Sequence, residues 1–105
     1  MDQQMMAFQI IAKAGDAFSK QMEALTEAKK GEFERATELV REGKDDLTAA
    51  HHVQTEILTA EAQGVEMQIT PIVVHAQDHL TKAIIGDFFV KELIGMQKQI
   101  NELKK

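Results

Sequence analysis

Cysteine is absent from the 105 residues, which excludes disulfide staples and thiolate metal sites and suits a reducing, cytoplasmic setting. Tryptophan and tyrosine are absent too, and a single proline interrupts the chain. No apolar run extends beyond a few residues, far short of what a bilayer span requires. The N-terminal stretch MDQQMMAFQIIAKAG lacks the basic start, sustained apolar run and cleavage site of a secretion signal. A basic excess is missing as well: the formal charge is −5, which argues against a nucleic-acid partner. Lys29, Lys30, Lys104 and Lys105 fall near expected helix ends, where cations are favoured in any case. What remains is one cytoplasmic domain over residues 1–105, with no membrane insertion, large enough for a core and small enough to lean on partners.

What is present in abundance is Ala, Glu, Lys, Gln, Met and Leu, a helical composition. The punctuation divides it into helices over about 2–30, 32–62 and 70–103, an all-α three-helix antiparallel bundle. In the first, Ile11, Ala14, Phe18, Met22 and Leu25 follow helical spacing, and Lys29-Lys30-Gly31 reads as a glycine-capped end. In the second, Ala36, Val40, Gly43, Leu47, Ala50, Gln54 and Ile57 form a heptad seam, with Gln54 as a polar residue that fixes register. Gly64 closes it. Thr70-Pro71 opens the third as N-cap and first helical residue. At about 100° per residue, Ile69, Val73, Ala76, Leu80, Ala83 and Ile84 gather on one side of this third helix. Val74, Ile85, Phe89, Met96 and Leu103 gather on the other. A helix apolar on two opposed faces needs a partner beyond its own hairpin, and the economical partner is another copy of the chain in a closed assembly.

The run VVHAQDHLTKAI at 73–84 sets His75, Gln77, Asp78 and His79 within five positions of this helix. His75, His79 and Lys82 fall on the flank between the two stripes, within about 60° of one another, so the two histidines are i, i+4 neighbours. Three readings compete on this pattern. The histidines are hydrogen-bonded boundary residues, or a two-histidine transition-metal site, or a nucleophilic imidazole that carries a phosphoryl group beside the donors His79, Gln77 and Lys82. A His-Glu-x-x-His protease is excluded, because Ala76 follows His75. Gln77 lies about 200° from His75 and serves it only across a subunit boundary. Asp78 falls within the second apolar stripe, where an ionised carboxylate needs a partner, a proton or a metal. Lys82 at i+4 is one partner; symmetry-related copies of Asp78 around a divalent cation are the other arrangement.

HAQDHL at 75–80, preceded by Ile72-Val73-Val74 and followed by a long aliphatic helix, closely resembles the signature of the lactose/cellobiose-type enzyme IIA of the bacterial phosphoenolpyruvate-dependent sugar phosphotransferase system. The likeness extends through GDAFSKQMEALTEAKKGEFERATELV at 15–40 and AHHVQTEI at 50–57. The resemblance implies a homotrimer of three-helix antiparallel bundles. It implies that His75 accepts a phosphoryl group through Nε2 from the histidine-containing phosphocarrier HPr. The group then passes to a cysteine of the cognate enzyme IIB for uptake of a lactose-, cellobiose- or chitobiose-type sugar through the membrane component IIC. Asp78 matches an aspartate that meets its symmetry mates at the trimer axis around a cation of the magnesium type, and Gln77 and His79 match supporting positions. His51 and Gln54 match recurrent positions without assigned chemistry. Thr81 and Lys82 depart from the family pattern, as does GDFFVKELIGMQKQ at 86–99. The competing class is a non-catalytic oligomeric scaffold or metal-binding bundle.

Overall fold

A computed structural model describes residues 2–105, and these form three α-helices: α1 Gln3–Lys29, α2 Phe33–Ala62 and α3 Pro71–Leu103. Four of the six ends have a visible local cause. Asp2 caps α1 by accepting a hydrogen bond from the Met5 N–H at 2.8 Å. Gly31 stops α1 with φ of +84°, while the Glu32 N–H returns to the Glu27 carbonyl at 2.9 Å; a β-carbon resists that backbone conformation. Gly64, φ +93°, ends α2 in the same way. Thr70 caps α3, with Pro71 in its first turn. The short α1–α2 turn forces the helices antiparallel. The α2–α3 link is tied back to α1 by Gln3, whose side chain donates to the Gln68 carbonyl and accepts from the Gln68 N–H. The bundle is a rod of 60 × 21 × 16 Å. Among the described residues, no helix is long and apolar enough to cross a membrane.

The shared helix is α1, which packs along both α2 and α3, while α2 and α3 touch each other less. The two opposed apolar faces read from the sequence for the third helix suggest that helix, rather than α1, as the central one. The packing face of α1 also differs from the predicted one. Its buried residues are Ala7, Ile10, Ala14, Ala17, Gln21, Ala24 and Ala28. Of the predicted set only Ala14 is buried; Ile11, Phe18 and Leu25 lie half-buried on the flanks, and Met22 is 42% exposed. Small side chains line the contact, letting backbones approach closely, while bulkier ones fill the margins. Gly43 on α2 shows how close: a β-carbon there would fall 3.3 Å from the Ala17 carbonyl oxygen. The seam on α2 buries Ala36, Gly43, Leu47, Ala50 and Ile57, together with Leu39. Ile69, expected on the packing side of α3, is 88% exposed, because the helix starts only after Thr70.

Gln21 is a buried polar residue at the α1–α3 contact. Its Nε2 donates to the Ala83 carbonyl at 2.8 Å, and its Oε1 lies against Gly86 with no hydrogen-bond donor. A β-carbon on Gly86 would stand 2.1 Å from that oxygen and 3.4 Å from Cδ1 of Phe18. Gly86→Ala gains about 1 kcal/mol of helix propensity but overpacks a filled contact, at about 1–3 kcal/mol, and strains a buried hydrogen bond. The expected net result is destabilisation of about 1–2 kcal/mol, read as a lower urea midpoint at unchanged slope. An equal or higher midpoint would mean that Gln21 moves aside freely.

On α3, Ala76, Leu80, Ala83, Asp87, Val90 and Ile94 are buried. The opposite face stays bare: Val74, Ile85, Phe89, Met96 and Leu103 are all exposed, Phe89 at 63%. This is the second stripe expected from the sequence.

Candidate functional site

Burial of Ala76 and Leu80 fixes the rotation of α3 and thereby turns His75 outward and His79 to the margin. The Nε2 atoms of His75 and His79 meet at 3.1 Å. The rings stand edge to face, 4.5 Å between centroids at an interplanar angle of 88°. One nitrogen must donate and the other accept. His79 decides which: its Nδ1 is shut away from solvent with no partner. A buried orphan N–H costs more than a buried lone pair, so the proton of neutral His79 belongs on Nε2. That N–H then points at the Nε2 lone pair of His75, leaving the exposed imidazole unprotonated where a nucleophile needs to be.

Burial holds the His79 pKa below the ordinary histidine value of 6.5, with the nearby charges of Lys82 and His75 acting in the same direction and Asp78 opposing. Because the folded value is depressed, the stability that neutral His79 contributes is fully present above pH 6.5 and is lost as pH falls through the folded value. NMR titration of the four histidines should therefore find His79 titrating below 6.5; a value at or above it would mean that the His79 ring is not shut away from solvent.

The other polar residues of the run divide between two sides of α3. Asp78 and Lys82 join the histidine pair around a shallow, open depression of about 180 Å³. Gln77 does not: it turns toward α2, donating from Nε2 to Oε1 of Gln54 at 2.7 Å. Gln54, the polar residue of the α2 seam, is thus hydrogen-bonded to α3. Asp78 is exposed on the bare stripe and, among the described residues, takes part in no ion pair or side-chain hydrogen bond. The Lys82 partnership that helical spacing offers is not made. The ammonium instead lies over the Phe18 ring, 4.5 Å from its centroid, a cation–π contact worth about 0.5–1 kcal/mol at an exposed site. The flat ring competes successfully because an exposed i, i+4 ion pair is worth no more than that.

Sequence reasoning missed Asp87, a buried carboxylate met by Lys91 at 2.9 Å and Lys44 of α2 at 3.6 Å. The i, i+4 spacing of Asp87 and Lys91 was the available signal; the third partner, on another helix, had none. Among the described residues no three His, Cys, Asp or Glu side chains converge as a metal site. Among the described residues, Asp78 is the one carboxylate bordering the depression at the histidine pair, so a metal site built on it needs further copies.

Comparison with known proteins adds a consistent picture. The family described as "PTS system, Lactose/Cellobiose specific IIA subunit" matches residues 5–98. The lactose-specific EIIA component of the phosphotransferase system from Streptococcus mutans is 42% identical over 95 residues, covering 90% of this chain and 91% of that protein. The crystal structure of the cellobiose-specific enzyme IIA from Bacillus anthracis superimposes with a TM-score of 0.93 at 37% identity, over 97% of this chain and 94% of the other. The Escherichia coli IIA(chitobiose), solved in solution as its complex with HPr, superimposes with a TM-score of 0.83 at 28% identity, over 96% of this chain and 98% of the other.

Proposed function

Because the chain belongs to the lactose/cellobiose-specific IIA subunit family of the phosphotransferase system, we propose that it is a cytoplasmic phosphocarrier that accepts a phosphoryl group on Nε2 of His75 from HPr. It then delivers the group to a cysteine of a cognate enzyme IIB, serving uptake of a lactose-, cellobiose- or chitobiose-type sugar through IIC. The observation that carries the reading is the histidine pair: an exposed imidazole whose Nε2 is kept unprotonated because its lone pair accepts from the N–H of a half-buried neighbour. A likeness to an IIA solved with HPr bound supports the choice of donor.

In the forward step the Nε2 lone pair of His75 attacks the phosphorus in line. The P–N bond of the donor's phosphohistidine breaks, and its electron pair returns to the donor ring. The His79 N–H, released from the lone pair it faced, turns to a phosphoryl oxygen. In the second step a thiolate of IIB attacks, the P–Nε2 bond breaks, and the pair returns to His75. Two partners use the site in turn, so each contact should be modest in area and short-lived.

The bare stripe of α3 supports assembly as a homotrimer with that stripe at the axis. Asp78 lies on it, exposed and without a protein partner, and its carboxylate suits a hard divalent cation such as magnesium. Three copies of Asp78 would hold that ion, and the ion would supply charge neutralisation at the axis. Gln77, bound to Gln54 on the far side of α3 from His75, reaches a histidine only on a neighbouring copy.

The delivery half is tested directly. The phosphorylated chain, separated from HPr and mixed with IIB, should lose its group as IIB gains one by intact mass. A chain that retained it in the presence of reduced IIB would contradict the carrier role.

A further inference from the structure

We propose that Lys82 is a phosphoryl-binding residue, parked on the Phe18 ring while His75 is bare and drawn onto the phosphoryl oxygens once Nε2 carries the group. This rests on the acceptor reading of His75.

Four observations lead there. Lys82 is the cation among the four side chains that bound the depression beside the histidine pair. Its ammonium takes part in no ion pair with a carboxylate among the described residues, although Asp78 stands four residues before it. It also lies on the same helical flank as His75. Seven residues are nearly two full turns, a rise of about 10 Å, and helical side chains lean toward the N-terminus, so the lysine stem tilts toward the His79 turn. Finally, its resting place is built. Phe18 sits against Gly86, where a β-carbon would come within 3.4 Å of the ring, so the ring that receives the ammonium is held close to α3.

The energetic order follows from chemistry. A neutral ring face holds an ammonium by its quadrupole alone. A phosphoryl group brings between one and two negative charges and strong acceptor oxygens, and ammonium–phosphate hydrogen bonds are charge-assisted. Arrival of the group therefore outcompetes the ring. Before arrival, the parked ammonium leaves the depression open. The bonds made and broken at phosphorus are those of the transfer itself; Lys82 keeps its three protons throughout. The competing explanation is that Lys82 merely covers Phe18 with its aliphatic stem.

Two readouts separate these. The first is the equilibrium between phospho-HPr with bare chain and HPr with phosphorylated chain, for wild type, Lys82→Met and Lys82→Arg, with thermal unfolding as the fold control. Loss of one charge-assisted hydrogen bond should move the Lys82→Met equilibrium roughly tenfold toward phospho-HPr, and Lys82→Arg should restore most of it. The second is the chemical shift of the Lys82 ε-methylene protons, which the Phe18 ring should displace in bare wild type and release on phosphorylation. An unchanged equilibrium in Lys82→Met, or ε protons that remain under the ring in the phosphorylated chain, would overturn the assignment and leave His75 as acceptor. Failure of wild type to take any phosphoryl group from phospho-HPr would remove the acceptor reading, and Lys82 with it.

Discussion

His75→Ala is expected to fold and assemble like the unaltered chain and to take no phosphoryl group at all. The side chain is exposed, and the contact it loses is the Nε2 hydrogen bond to His79. That bond is worth about 1 kcal/mol, and alanine returns part of it, about 0.5 kcal/mol, as helix propensity. Circular dichroism and sedimentation should therefore be unchanged, while intact mass after incubation with phosphoenolpyruvate, enzyme I and HPr shows no addition. His79→Ala run beside it keeps the nucleophile and loses only its orienting neighbour, so it should still be labelled, more slowly. Labelling of the His75→Ala protein would move the acceptor elsewhere, to His79 first. A metal-binding or scaffolding bundle predicts no labelling of any of the three proteins.

Asp78→Leu is expected to raise the stability of the assembly. In a trimer with the bare stripe inward, three carboxylates would converge among Val74 and Ile85, and each has no partner within its own chain. Replacing buried ionic groups by well-packed apolar ones is commonly neutral or stabilising by about 1–4 kcal/mol, and leucine adds apolar area to a stripe that is already apolar. The variant should sediment as a trimer and melt higher than the parent. Chelator should lower the melting temperature of the parent and leave the variant unaffected, since the cation has lost its ligands. Dissociation of Asp78→Leu into monomers would mean that the aspartates, with their ion, hold the assembly together rather than being tolerated by it.

Much of the architecture was legible because it depends on local signals. Gly31 and Gly64 stop helices at positive φ, Thr70-Pro71 starts one, and every helix end falls within one residue of the place that punctuation marks. The two faces of α3 were legible for the same reason: periodicity on one long, uninterrupted segment. The packing face of α1 was not. Reading by hydrophobic bulk selects Phe18, Met22 and Leu25, whereas the contact is lined by alanines, whose value lies in how closely they let neighbouring helices approach. Gln21 escaped for a related reason: a glutamine looks like surface until the carbonyl of Ala83 and the gap at Gly86 are known.

At the site, the i, i+4 rule brought His75 and His79 together correctly, since both lie on one helix. It gave no access to residues that answer from other helices. Gln54 takes Gln77 away from the pair, and Phe18 takes Lys82 away from Asp78. The tautomer of His79 depends on one buried nitrogen and so on the packed fold. The motif HAQDHL identified the family without any of this, but its role assignments are inherited, whereas the geometry supplies a physical reason for His75.

The most direct test of the central claim is the position of the N–P bond in the wild-type protein. Nitrogen-15-labelled chain would be phosphorylated through phosphoenolpyruvate, enzyme I and HPr, then examined by proton–nitrogen NMR of the histidine rings. One phosphohistidine is expected, at His75, with phosphorus on Nε2 and His79 unmodified. Phosphorus on Nδ1 of His75, or on His79, would contradict it.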